Sequence, residues 1–115
     1  MQVEGICSDM KEVKCVQWLV MKALKTDKAH VRRKKVTVYE AEIFKGNLEL
    51  RHYGTLILVV DLLTKRIMHL GGWSRTDRDC INNALHMLDI DAKVRLVDGS
   101  IELIKISGIR KIGLK

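Results

Sequence analysis

The residues Gly71-Gly72-Trp73-Ser74-Arg75-Thr76-Asp77-Arg78-Asp79 gather the chain's best candidates for ligand chemistry. Paired glycines let a backbone turn tightly and approach a ligand closely. Ser74 and Thr76 can each cap a helix, and a helix N-terminus exposes unpaired N–H groups at the positive end of its dipole. A phosphate could rest on such amides at Gly72, Trp73 and Ser74, with Arg75 and Arg78 as charge partners. Asp77 and Asp79 oppose that use, because carboxylates in the same turn neutralise the dipole and can pair with the arginines. No Gly-Lys-Ser/Thr follows at P-loop spacing, and there is no dinucleotide fingerprint. The junction therefore reads as a self-capped helix start, with a small phosphorylated-ligand site as its alternative.

Positive charge is the second candidate. The chain has 115 residues and a net charge of +7, and that excess is localised. Residues 22–35 carry Lys22, Lys25, Lys28, Arg32, Arg33, Lys34 and Lys35 against Asp27 alone. Residues 105–115 add Lys105, Arg110, Lys111 and Lys115 with no acidic residue, whereas residues 36–104 are slightly acidic. Such asymmetry points to a polyanionic partner more than the overall charge does. Lys22, Lys25, Arg32, Arg33, Lys34, Lys35, Arg110 and Lys111 are the candidate phosphate contacts, and Trp18 among the lysines of the first helix could stack on a base. A solvated basic face, with Trp18 partly buried, is the plainer alternative. No helix-turn-helix, RNP or KH pattern is present.

Catalysis and metal binding find little support. Cys7, Cys15 and Cys80 are an odd set without CxxC spacing, which argues against a disulfide framework or a zinc knuckle. His30, His52, His69 and His86 form no metal-ligand spacing and read as surface residues. Ser74 lies outside any nucleophile elbow, and the aspartates fall at turns and helix ends where Asp is locally favoured. The expectation is a protein that is not an enzyme, with no cofactor and no metal.

The elements that must position these residues follow from periodicity. Met10, Val13, Val16, Val20 and Leu24 recur at helical spacing over about residues 9–26, fading into a basic connection Asp27–Lys35. Val36–Phe44 and Leu48–Tyr53 read as a hairpin around Gly46-Asn47. Leu56–Val60 is apolar on both faces and predicts a central strand covered on both sides, and Ile67–Leu70 a further strand. Cys80, Ile81, Ala84, Leu85 and Leu88 form the buried stripe of a second helix over about 76–88, with capping-box spacing at Ser74/Asp77 or Thr76/Asp79. Val94–Leu103 predicts a second hairpin with a type I′ turn at Asp98-Gly99.

The order α-β-β-β-β-α-β-β predicts an α+β fold: a mainly antiparallel sheet of about five to six strands with two helices. Residues 1–115 read as a single domain whose ends, 1–8 and 108–115, fray. Two helices on one face would leave the other side of Leu56–Val60 open, which a homodimer or sheet curvature would resolve. No apolar run approaches the roughly 20 residues that span a bilayer, and Met1–Gly5 lacks a signal-peptide layout, so a cytoplasmic protein without a membrane partner is expected.

The region Tyr53–Leu88 resembles small uncharacterised domains encoded by bacteriophages and other mobile elements. Tyr53-Gly54-Thr55 matches their start of a sheet strand, and Trp73-Ser74-x-Thr76 their aromatic-Ser-x-Thr helix start. Position 77 is Asp where that family usually has a second Thr. The resemblance implies a viral or mobile-element origin, in the cytoplasm of a host cell, and small proteins of that origin commonly act by binding. The leading expectation is thus a small nucleic-acid-binding protein contacting phosphates through residues 22–35 and 105–115. The alternatives are a modulator of a host protein complex, centred on Trp73 or a sheet edge, and a phosphorylated-ligand binder at Gly71-Gly72.

Overall fold

In a computed structural model, residues 12–104 are described, with side chains from Val16 onward. The expected frayed ends, Arg110 and Lys111 lie outside the described residues. Helix α1 spans Glu12–Thr26. Five strands follow as a continuous meander, β1 (Lys28–Arg33), β2 (Val36–Phe44), β3 (Asn47–His52), β4 (Thr55–Asp61) and β5 (Arg66–Leu70). Helix α2 (Arg75–Met87) comes next, then β6 (Lys93–Val97) and β7 (Ser100–Ile104). The first five strands form one antiparallel sheet in sequence order, and β6–β7 form a separate ribbon. The α+β class, the two helices and the antiparallel sheet are as expected. Among the described residues no helix is long and apolar enough to cross a membrane.

One segment departs from the expectation. The basic connection Asp27–Lys35 is mostly strand: Lys28–Arg33 pairs with Val36–Glu42 as an edge strand. Ala29 and Val31 alternate with charged residues and are buried, a period-two signal obscured by six nearby basic side chains. Asp27 makes the sharp reversal from α1 possible through a left-handed backbone (φ 74°), its N–H donating to Ala23 O at 2.7 Å.

The core lies between the two helices and one face of the sheet. Val16, Leu19, Val20 and Ala23 of α1 meet Cys80, Ile81, Ala84 and Leu85 of α2 over Ala29, Val31, Tyr39, Ala41, Leu48, Leu50, Leu58 and Val60. The buried stripe of α1 is rotated from the expected one, for Leu24 is 45% exposed. On the opposite sheet face the pairs are polar, with Lys28–Glu40 at 3.8 Å and Arg51–Glu49 at 3.1 Å. Strand β4 is next to the edge rather than central, and it presents only Leu56 and Val59 to that face, opposite Arg51, Glu49 and His69. Three of the four strand pairings contain a register shift, and such bulges bend and twist a sheet.

Tight turns set the register. Lys45-Gly46, Tyr53-Gly54 and Asp98-Gly99 each have two consecutive positive φ angles, the signature of type I′ hairpin turns. Asp61 Oδ1 accepts the N–H groups of Leu63 (2.9 Å) and Thr64 (3.2 Å), closing the β4–β5 turn. Helix α2 ends with Ile90 N donating to Leu85 O and Asp89 N to His86 O, Asp89 taking the left-handed position usually filled by Gly.

Candidate functional site

Antiparallel meander topology places the β1–β2 turn, the β3–β4 turn and the exit of β5 at the same end of the sheet. Register confirms the alignment: Arg33 pairs with Val36, Tyr53 N donates to Val38 O, and Gly71 N donates to Ile57 O. Lys34-Lys35, Tyr53-Gly54 and Gly71–Trp73 therefore converge, and α2 begins beside them. The two turns are two strands apart, about 10 Å across the sheet, and the Lys34-Lys35 turn projects further, because β2 runs from Val38 to Val36, about 7 Å, before reaching it.

Asp77 organises this end. Ser74 is the N-cap of α2, and its Oγ accepts the Asp77 N–H at 3.1 Å. Asp77 Oδ2 accepts the N–H groups of Trp73 (3.0 Å) and Ser74 (3.2 Å), completing a capping box. Its other oxygen, Oδ1, lies 2.7 Å from His52 Nδ1. One carboxylate thus joins the helix start to the last residue of β3. His52 is aimed there by strand alternation, sharing the inward face with Leu48 and Leu50 and sitting in register with Tyr39 and Thr55. Its ring stacks on Tyr39 at 5.0 Å and 16°, and meets the Tyr53 ring at 4.7 Å and 44°.

The Asp77 carboxyl is held below its ordinary range. Burial, the strongest single influence, works to raise it. The Trp73 N–H, the hydrogen bonds of His52 and Ser74, and the charge of His52 together outweigh burial. An ionised Asp77 accepts from His52 Nδ1–H, which leaves Nε2 as the imidazole's remaining polar atom. Gly72 is required by the same arrangement. Its φ is +99°, and a Cβ there would fall 2.7 Å from Asp77 Cβ and 2.8 Å from Oδ2.

A pocket of about 150 Å³ opens against this cluster, lined by His52, Tyr53, Thr55, Trp73, Ser74 and Asp77. Tyr53 and Trp73 are 61% and 63% exposed. A larger cavity of about 470 Å³ lies elsewhere, between the β4–β5 turn and the ribbon, lined by Lys65, Ile67, Asp89, Ile90 and Leu103 among others. It contains none of the candidate residues.

The expected site residues divide among three places. Trp73 and Ser74 line the pocket and Gly72 precedes them in the chain, but the Trp73 and Ser74 amides that would hold a phosphate are already used by Asp77. Asp77 faces inward to His52 instead of pairing with Arg75 or Arg78; Arg78 pairs with Asp79 at 3.0 Å, and Arg75 is exposed. Arg33, Lys34 and Lys35 are exposed at the pocket end of the sheet and make no ion pair among the described residues. Arg32 is half-buried, its Nη2 donating to Lys35 O at 3.3 Å. Lys22 and Lys25 lie near the other end of β1, where Lys28 begins a strand that carries the chain about 20 Å before Lys34. Residues 22–35 therefore present charge at both ends of the sheet, not as one patch. Trp18 is half-buried and packs against the core.

His52, Tyr53 and Thr55 were absent from the sequence-based candidates. Alternation with Leu48 and Leu50 signals that His52 points inward, yet nothing in the local sequence names Asp77, 25 residues away, as its partner. Among the described residues no group of three or more His, Cys, Asp or Glu side chains is placed to hold a metal ion. The chain matches no protein-family model, no curated protein and no solved structure.

Proposed function

We propose that the protein binds nucleic acid without catalysing a reaction, at the sheet end where Lys34-Lys35, Tyr53-Gly54 and Trp73 converge. The observation carrying this reading is that a basic turn with no ion pair among the described residues shares one end of the sheet with two exposed aromatic rings. Exposed Tyr and Trp alone would suit a protein partner equally well. Arg33, Lys34 and Lys35 beside them favour a partner with both flat apolar rings and regularly spaced negative charge. A phosphate at the amides of the α2 start is disfavoured, because Asp77 already occupies them. The lysine turn, rather than the glycine junction, is then the phosphate contact.

Basic residues on an edge strand also discourage edge-to-edge pairing, so their presence needs a functional test. Fluorescence anisotropy with a labelled oligonucleotide across a salt series provides it. Replacing Arg33, Lys34 and Lys35 together by Ala is expected to weaken binding and to reduce the slope of log K against log salt by up to about 2. Binding that is unchanged in strength and salt slope would show that the turn serves only to protect the edge.

A further inference from the structure

We infer that the pocket between Tyr53 and Trp73 receives one unpaired base, so that the protein prefers single-stranded nucleic acid to duplex. The inference rests on the nucleic-acid reading above and specifies its ligand.

Tyr53 is the first sign. It takes φ 51° at the leading position of the Tyr53-Gly54 turn, where Gly, Asn and Asp are favoured and a bulky side chain is strained. The same position in the other two X-Gly turns holds Lys45 and Asp98. Tyr53 is 61% exposed, so little burial compensates the strain. Strain persisting at a single exposed ring is a reason to look for a ligand. Trp73 is the second exposed ring of the lining, 63% exposed and outside the core cluster.

The pocket's size and lining narrow the ligand. About 150 Å³ is the volume at which an apolar cavity accepts a benzene-sized ring, too small for a folded partner's helix. Two aromatic residues supply stacking surface, while His52, Thr55, Ser74 and the Asp77 carboxylate supply polar groups. Flat apolar faces with a polar edge describe a nucleobase. His52 is also well held, by the Tyr39 stack and by the 2.7 Å contact to Asp77, so its ring is a fixed part of the lining. In a duplex the base faces are stacked and the edges paired, and only an unpaired base offers both. Arg33, Lys34 and Lys35, two strands away at the same end of the sheet, can then take the flanking backbone.

The test compares a single strand with its duplex, by anisotropy and by tryptophan fluorescence, for the full chain and for Tyr53→Gly and Trp73→Ala. Gly suits the Tyr53 backbone, so Tyr53→Gly should melt no lower than the parent and keeps the experiment independent of folding. The expected result is tighter binding to the single strand, quenching that Trp73→Ala abolishes, and a loss of roughly 5- to 150-fold in single-strand affinity for each variant. Equal affinity for duplex, or variants that bind like the parent while the Arg33/Lys34/Lys35 triple variant fails, would overturn the base pocket and leave nucleic-acid binding standing. No binding of either form would overturn both.

Discussion

Removing the Asp77 carboxylate should be among the most damaging single changes available at this surface. Asp77→Ala deletes three accepted hydrogen bonds at once, from His52 Nδ1 (2.7 Å), Trp73 N (3.0 Å) and Ser74 N (3.2 Å). Bonds to an ionised group contribute about 1.5–3 kcal/mol each, but they share one acceptor and do not add fully. The Trp73 and Ser74 amides can turn to water, so their share is about 1 kcal/mol, the usual worth of a helix cap. His52 cannot recover as easily, since its side chain is only 13% exposed. Losing the partner of such a group costs about 2–3 kcal/mol. The expected total is about 3–4 kcal/mol. For a chain of this size about 4 °C accompanies each kcal/mol, giving a fall of about 12–16 °C in Tm by circular dichroism. Ser74→Ala, which removes only the acceptor for Asp77 N, should cost about 1 kcal/mol. A double-mutant cycle with His52→Phe, chosen to retain a ring against Tyr39, should return a coupling of at least about 1.5 kcal/mol. A Tm loss below about 4 °C, or an additive cycle, would show that the carboxylate does not join sheet to helix energetically.

Further outcomes follow from neighbouring geometry. Gly72→Ala should lose about 2–4 kcal/mol in urea denaturation, because a Cβ at φ +99° meets Asp77 at 2.7 Å; a loss under about 1 kcal/mol would mean that Asp77 moves aside at little cost. Acid should act through the same carboxylate. Its folded pKa lies below the unfolded value near 3.9, so its stabilisation is complete above that pH and vanishes as pH falls through the folded value. The parent should therefore lose stability more steeply than Asp77→Ala below about pH 4, and parallel curves would contradict the assignment. Asn82 bridges α2 to the ribbon, its Oδ1 accepting Val94 N at 2.7 Å and its Nδ2 donating to Val94 O at 3.0 Å. Asn82→Asp retains the first bond and sets a carboxylate against the Val94 carbonyl, at about 1–3 kcal/mol, which should speed hydrogen exchange in β6 and β7; unchanged exchange would rule out this staple.

Local chemistry made most of the fold legible. Asp98-Gly99 announced its hairpin, the Cys80–Leu88 stripe announced α2, and Ser74 with Asp77 announced the cap. Each is a short-range signal whose partners lie within a few residues. Strand β1 escaped because basic residues at its exposed positions dominated the two buried ones, Ala29 and Val31. The outer side of Leu56–Val60 looked uncovered because sequence does not reveal which neighbours share a face; Glu49, Arg51 and His69 do so here. The site was half legible for the same reason. Trp73 and Ser74 stood out on their own, whereas His52 and Tyr53 acquire meaning only when the β3–β4 turn is brought to the start of α2.

That juxtaposition also makes a self-satisfied cap compatible with the proposed binding surface. Asp77 consumes the amides that could have held an anion, but in doing so it fixes the backbone of Trp73 at 3.0 Å and the ring of His52 at 2.7 Å. Tyr53 is held from the other side, by its N–H on Val38 O at 2.8 Å and by its contact with the His52 ring. The two exposed aromatics thus project from anchored backbone rather than from a loose loop. A ligand entering between them has less conformational freedom to quench, which is the condition under which small stacking contacts yield measurable affinity. Asp77, itself part of the lining, would then contribute to binding by holding the residues around it in place. Its replacement should weaken single-strand affinity even at temperatures where the variant remains fully folded, whereas a purely structural carboxylate would leave affinity intact until the fold itself is lost.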